Sequence, residues 1–177
     1  AVPMTTEQKK YLKEGEFVAS TEQYVDETQD TADNPDDSAP KGSLKGDNFV
    51  MPDGTLALKT WKQVRDVWYY FDAAGNRVRG WLQYGGKWYY FDENGSMKTG
   101  WVYYKNTWYY LNPDGDMKTG WVYYKNTWYY LNPDGDMKTG WLYYKNTWYY
   151  LNGDGSMAVS RSQDGWYLGA DGAGRKE

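Results

Sequence analysis

The 177 residues contain no cysteine and no histidine. The first absence rules out disulfides and leaves the redox compartment unread. The second removes histidine-based triads, histidine proton shuttles and histidine-ligated zinc. Any nucleophile–base pair would have to be built from carboxylates, Lys, Ser, Thr or Tyr. No apolar run approaches the length of a membrane span. No signal peptide is visible, and a mature secreted chain would lack one. Basic charge is scarce and unevenly placed. Residues 1–47 hold eleven acids against five bases, a net of −6, so the remainder carries +2 of the chain's −4. Nothing resembles a basic groove, which makes nucleic acid a poor partner despite a high aromatic content.

What is abundant is aromatic: 11 Trp and 20 Tyr, set out with a fixed period. The stretch GWVYYKNTWYYLNPDGDMKT at 100–119 recurs unchanged at 120–139, and GWLYYKNTWYYLNGDGSMAV follows at 140–159. Looser copies start at Gly80 and Thr60. Trp61, Trp81, Trp101, Trp121 and Trp141 lead the copies, and Trp68, Trp88, Trp108, Trp128 and Trp148 follow seven residues later. A constant period of 20 decides the architecture before any local propensity does.

Within a copy, Trp101–Tyr104 and Thr107–Leu111 are runs of aromatic and β-branched residues, suited to strands. Lys105-Asn106 lies between them, where the second copy has Gly85-Gly86, and a two-residue loop with positive φ accepts Gly and Asn. Asn112-Pro113-Asp114-Gly115 reads as a turn, with Pro fixing φ at its second position and Gly easing its fourth. The spacing predicts a β-hairpin with Trp101 opposite Tyr110 and Tyr103 opposite Trp108. Side-chain alternation then puts Trp101, Tyr103, Trp108 and Tyr110 on one face, and Val102, Tyr104, Tyr109 and Leu111 on the other. One 20-residue hairpin cannot bury both faces, but a stack can. The expected fold is all-β, a solenoid of stacked 20-residue hairpins, with the Val102/Leu111 face as core and the two-Trp face toward solvent or ligand.

Residues 1–47 are expected to be an acidic N-terminal segment, coil or short helix. Thr5 to Gln8 gives a weak capping-box pattern, and 26–47 has the composition of a linker. The acids lack the spacing and glycine of a calcium loop, so no metal or cofactor is expected. Residues 48–177 form the repeat module: a half-repeat cap at 48–60, where Pro52-Asp53-Gly54 matches Pro113-Asp114-Gly115, then repeats from 61, 81, 101, 121 and 141, then a C-terminal cap at 161–177.

These residues resemble the choline-binding, or cell-wall-binding, repeat of Gram-positive surface proteins. The shared elements are a Gly-Trp start, a Trp-Tyr-Tyr strand, an Asp-Gly turn and a Met-x-Thr-Gly end. The resemblance covers residues 49–168. It implies a hairpin solenoid holding phosphocholine on teichoic and lipoteichoic acids, and a secreted protein attached non-covalently to the cell wall.

The residue chemistry agrees. A quaternary ammonium has no N–H to donate and is held by the faces of aromatic rings, Trp best of all. The expected cages lie at the junctions 61/81, 81/101, 101/121 and 121/141. Each uses the two Trp of one hairpin and the second Tyr of the next: Trp61 and Trp68 with Tyr90, Trp81 and Trp88 with Tyr110, Trp101 and Trp108 with Tyr130, Trp121 and Trp128 with Tyr150. Trp141 and Trp148 complete the list of leading and following Trp, with Tyr167 as the third ring of a fifth cage that Leu168, aligned with the second Tyr, argues against. Met97, Met117, Met137 and Met157 are expected to flank cages or fill gaps. The competing reading is a carbohydrate (glucan)-binding repeat, in which the rings would stack on sugars. Sugar sites need polar groups around the ring, and only Gln63 and Gln83 supply them on the two-Trp face. No catalysis is expected, since 47 residues are too few for a separate catalytic core. A protein partner for those residues is the remaining expectation.

Overall fold

The structure, a computed structural model, describes residues 41–177. The capping box at Thr5 and the linker up to residue 40 lie outside the described residues. Residues 41–98 belong to one compact unit and 99–177 to another. The first unit contains three antiparallel hairpins: β1 (Ser43–Lys45) with β2 (Asn48–Val50), β3 (Thr60–Val64) with β4 (Val67–Phe71), and β5 (Gly80–Tyr84) with β6 (Lys87–Phe91). The second contains β7 (Gly100–Tyr104) with β8 (Thr107–Leu111), β9 (Gly120–Tyr124) with β10 (Thr127–Leu131), and β11 (Gly140–Tyr144) with β12 (Thr147–Leu151). It ends in a three-stranded sheet of β13 (Arg161–Gln163), β14 (Trp166–Leu168) and β15 (Gly174–Lys176). Within each unit the hairpins stack as a β-solenoid, as expected.

The hairpin register matches the expectation residue for residue: Trp101 faces Tyr110, Val102 faces Tyr109, Tyr103 faces Trp108 and Tyr104 faces Thr107. The loop residues Lys105 and Asn106 both take left-handed φ, 45° and 62°. That is the twist-matched two-residue turn of a hairpin. In the following turn the Gly115 N–H donates to the Asn112 carbonyl at 2.8 Å.

Two edges depart from expectation. The opening cap is a whole hairpin rather than a lone second strand, and it starts at Ser43, inside the stretch read as linker. Leu44 pairs opposite Phe49 and both are buried, in a cluster with Ala57, Val64, Tyr69 and Phe71. Asp47, counted among the linker acids, instead accepts a 2.6 Å bond from Arg79. That bond holds its carboxyl below the usual range. At the other end β15 adds a strand that no repeat motif announces.

The repeats interlock through their second turns. The Met137 N–H donates to the Trp108 carbonyl at 2.9 Å, the Met157 N–H to Trp128 and the Met97 N–H to Trp68, each at 2.8 Å. The side chains of Met117, Met137 and Met157 lie against the next turn's glycine. A Cβ on Gly135 would fall 2.3 Å from Met117 Sδ, and one on Gly155 the same distance from Met137 Sδ. The most deeply buried side chains are aliphatic and phenyl: Phe71, Phe91, Leu111, Leu131 and Leu151 are all fully buried.

One turn carries a buried ion pair. Lys98 Nζ lies 2.9 Å from Asp92 Oδ2, with the Lys side chain almost covered. The other Asp92 oxygen accepts the N–H groups of Asn94 and Ser96 at 2.9 Å. Asp92→Ala therefore takes the carboxylate away from a nearly covered ammonium and leaves two turn donors without their acceptor. The expected loss is about 2–4 kcal/mol in urea unfolding, with Asp92→Asn intermediate.

Candidate functional site

Strand alternation puts the leading Trp and the following Trp of each hairpin side by side. Their rings meet edge to face, at 6.4 Å for Trp61–Trp68, 6.5 Å for Trp81–Trp88, 6.4 Å for Trp101–Trp108 and 6.2 Å for Trp121–Trp128. Cross-strand pairing adds the second Tyr of the same hairpin, 5.1–5.3 Å from the leading Trp. Offset and edge-on geometries of this kind suit the ring quadrupoles.

The next hairpin in the stack presents its other face. Tyr89 lies 5.0 Å and Tyr84 5.6 Å from Trp61. Tyr129 lies 5.1 Å and Tyr124 6.3 Å from Trp101. Tyr149 lies 5.1 Å and Tyr144 6.1 Å from Trp121. The rings brought onto a Trp pair by the next hairpin are thus the first Tyr of its second strand and the last Tyr of its first strand.

This corrects the choice of Tyr90, Tyr130 and Tyr150. Tyr90 sits on Trp81, Tyr130 on Trp121 and Tyr150 on Trp141, each the Trp of its own hairpin. Tyr110 likewise sits on Trp101. Register and face parity both hold. The error lay in letting every two-Trp face point outward. In the stack, the two-Trp face of one hairpin meets the Val/Leu face of the next, so what arrives is whatever that face carries. The cue was available: the Val/Leu face also carries two tyrosines, more than an interior would need.

The methionines combine two placements. Met137 shares a buried cluster with Trp101, Trp108, Val122, Tyr129 and Leu131. The sulfurs of Met117, Met137 and Met157, however, are set against turn glycines. In the first unit the Met97 backbone is bonded to Trp68.

At the C-terminal end the third ring is Trp166, 6.0 Å from Trp141 and 6.5 Å from Trp148. Tyr167, the residue named for that position, is exposed.

The boxes differ in openness: Trp101 and Trp108 are buried, against the expectation that the two-Trp face looks outward, whereas the following Trp of the other hairpins stay partly exposed. Trp68, Trp128 and Trp148 stay about two-fifths exposed, while Tyr129 is buried. Burial, with Tyr124 beside it, pushes the Tyr110 phenol above its ordinary range, so it stays neutral near pH 7. Beside Tyr124 and Tyr144, Lys125 and Lys145 stack their ammonium groups on the rings at 5.6 and 5.4 Å, evidence that these faces accept cations. An open, neutral box of electron-rich faces suits a cation that lacks N–H donors.

The sequence matches the choline-binding repeat model over residues 58–98, 78–120 and 118–162. The chain belongs to the choline-binding repeat family. Among solved structures, the choline-binding repeats here are similar to CbpF, choline binding protein F of Streptococcus pneumoniae, in complex with ipratropium. That match has 43% identity, a TM-score of 0.66, and covers 73% of this chain and 42% of that one. CbpJ from Streptococcus pneumoniae matches at 37% identity and TM-score 0.67, over 77% of this chain and 48% of that one. The choline-binding domain of CbpL from Streptococcus pneumoniae matches at 35% identity and TM-score 0.63, over 76% and 75% respectively. This chain spans under half the length of the first two. No curated protein matches it.

Proposed function

We propose that this chain is a non-catalytic module that attaches its protein to phosphocholine groups on wall teichoic and lipoteichoic acids. Each site is a box in which two Trp of one hairpin are closed by two Tyr of the next: Trp61 and Trp68 with Tyr84 and Tyr89, Trp101 and Trp108 with Tyr124 and Tyr129, Trp121 and Trp128 with Tyr144 and Tyr149. The observation that carries this is the convergence of ring faces at successive junctions with one geometry. Methionine flanks the boxes, as Met137 does beside Trp101, Trp108 and Tyr129, and also serves the interlock between turns. The protein would be secreted and held on the wall without a covalent bond.

Each ring face contributes roughly 0.5–2 kcal/mol toward a cation, so a box of partly exposed rings gives on the order of 3–5 kcal/mol before binding costs. Single-site affinity for free choline is expected near the millimolar range, about −4 kcal/mol.

Calorimetric titration with choline tests the reading. Trp128 is exposed, so Trp128→Ala should leave the fold intact and lower the choline stoichiometry by one, with the other sites unchanged. Saturable binding to dextran that choline cannot displace would favour the glucan reading instead. Release of product from wall peptidoglycan or phosphocholine esters by the purified chain would overturn the non-catalytic assignment.

A further inference from the structure

The C-terminal sheet is a repeat hairpin with its tip cut off. Counted from the hairpin base, Arg161 pairs with Leu168 as Gly140 pairs with Leu151, and Ser162 pairs with Tyr167 as Trp141 pairs with Tyr150. Gln163 then pairs with Trp166 as Leu142 pairs with Tyr149. The two-residue turn follows at once, with φ of 51° at Asp164 and 78° at Gly165. Trp166 therefore stands where the first Tyr of a full repeat stands, the position that lies over the preceding Trp pair. The shortening deletes two rungs, those of Tyr143–Trp148 and Tyr144–Thr147 in the hairpin before it. The turn residue Asp164 follows at the level of Tyr143, and its Oδ2 accepts the Trp141 indole N–H at 3.0 Å.

We infer that Trp141, Trp148 and Trp166, with the carboxylate of Asp164 at their rim, form a further cation site whose selectivity differs from that of the repeat boxes. This rests on reading the repeat junctions as cation boxes. The three indoles lie mutually within 6.0–6.5 Å. Trp148 is exposed and Trp166 half-buried. Strand β15 supports the pair from behind: a Cβ on Gly174 would come 3.1 Å from the Trp148 carbonyl oxygen and 3.5 Å from the Trp166 ring. Three Trp faces attract a cation more strongly than mixed Trp and Tyr faces. The carboxylate adds what the repeat boxes replace with a phenol ring, an ionised acceptor. It accepts from Gln163 and Trp141 and still keeps acceptor capacity for a ligand. Hydrogen bonds from Gln163 and then Trp141 hold Asp164 below its ordinary range, so it is ionised at neutral pH. A cation that retains one N–H, a protonated tertiary amine, gains a charge-assisted bond here that a quaternary ammonium cannot make. The repeat boxes offer no such preference.

The test uses the full chain, titrated calorimetrically with choline and with protonated N,N-dimethylethanolamine, while the indole N–H resonances of Trp141, Trp101 and Trp121 are followed by NMR. Trp166→Ala should remove one site and quiet the Trp141 response, and Trp166→Tyr should restore it. Asp164→Asn should weaken dimethylethanolammonium at this site roughly tenfold, the scale of one hydrogen bond to a charged group, and choline by no more than about threefold. If Trp166→Ala leaves the stoichiometry intact, or Asp164→Asn weakens both amines alike, the assignment fails. If choline moves the Trp101 and Trp121 resonances but never that of Trp141, this site alone falls. If it moves none of the three, the reading of the repeats falls with it.

Discussion

Excision of residues 120–139 is expected to lower retention on choline-bearing walls by several-fold to about tenfold, while each remaining box keeps its free-choline affinity. The deletion is clean because 100–119 and 120–139 are identical in sequence. Every surviving junction keeps its native neighbours, so no new interface is created. The physical reason is multivalency. A site of about millimolar affinity is weak alone, but a teichoic chain presents many cholines at high effective concentration to the next box, and linked sites together can gain about 10²–10⁴. Removing one box removes one factor from that product. Inserting a third identical copy should raise retention by the same factor. The measurement pairs a wall-sedimentation assay with calorimetry of free choline on each length variant. Complete loss of wall binding after one excision, with per-site affinity preserved, would show that a single privileged site carries attachment. Altered per-site affinity would show that the boxes are coupled through the stack.

The hairpins, their turns and their register were legible because each rests on local rules. Lys105-Asn106 and Gly85-Gly86 tolerate positive φ, Asn112-Pro113-Asp114-Gly115 has the residues of its turn, and parity follows from strand geometry. What was not legible is how one hairpin lies on the next. That relation is set by the pairing of two faces, and a repeat sequence names the faces without saying which meets which. Assigning the aliphatic face to a common core implied that all two-Trp faces look outward. The structure instead lays the Tyr129-bearing face of one hairpin on the Trp101-bearing face of the one before. The cap failed for a related reason. Fixed-period counting aligned Leu168 with the second Tyr, but a hairpin that has lost its tip must be aligned from its base. The opening hairpin is not marked by alternation or composition, because Ser43–Lys45 is three residues long and lies between Gly42 and Gly46.

Gly135→Val is expected to lower stability by about 3–5 kcal/mol, the largest effect of any single substitution proposed for a turn. Two costs combine. Gly135 has φ of +88°, a region that costs a β-branched residue about 1–3 kcal/mol. A side chain there also collides with the repeat before it, since Cβ would fall 2.3 Å from Met117 Sδ and 2.7 Å from its methyl carbon. Forcing methylene groups into a packed contact typically costs about 1–3 kcal/mol. The two terms are separable. Met117→Ala in the Gly135→Val background removes the sulfur and should recover the packing share while leaving the backbone share. At Gly120, φ is +77° with open space around the missing Cβ, so Gly120→Ala reports the backbone term alone and should cost less. Urea unfolding of the three single variants and of the Met117→Ala/Gly135→Val pair checks the arithmetic. A Met117→Ala change that gives no relief would mean that the sulfur moves aside freely, and the methionine–glycine contact would then be filler rather than the element that sets repeat spacing. Full relief would mean that the left-handed turn carries no strain. The functional consequence follows from the same contact. Met137 ties its N–H to the Trp108 carbonyl, and its sulfur lies against Gly155, so a displaced turn shifts Tyr129 and Tyr149 against their Trp partners. The valine variant should therefore weaken choline at the boxes of Trp101 and Trp121 more than at that of Trp61.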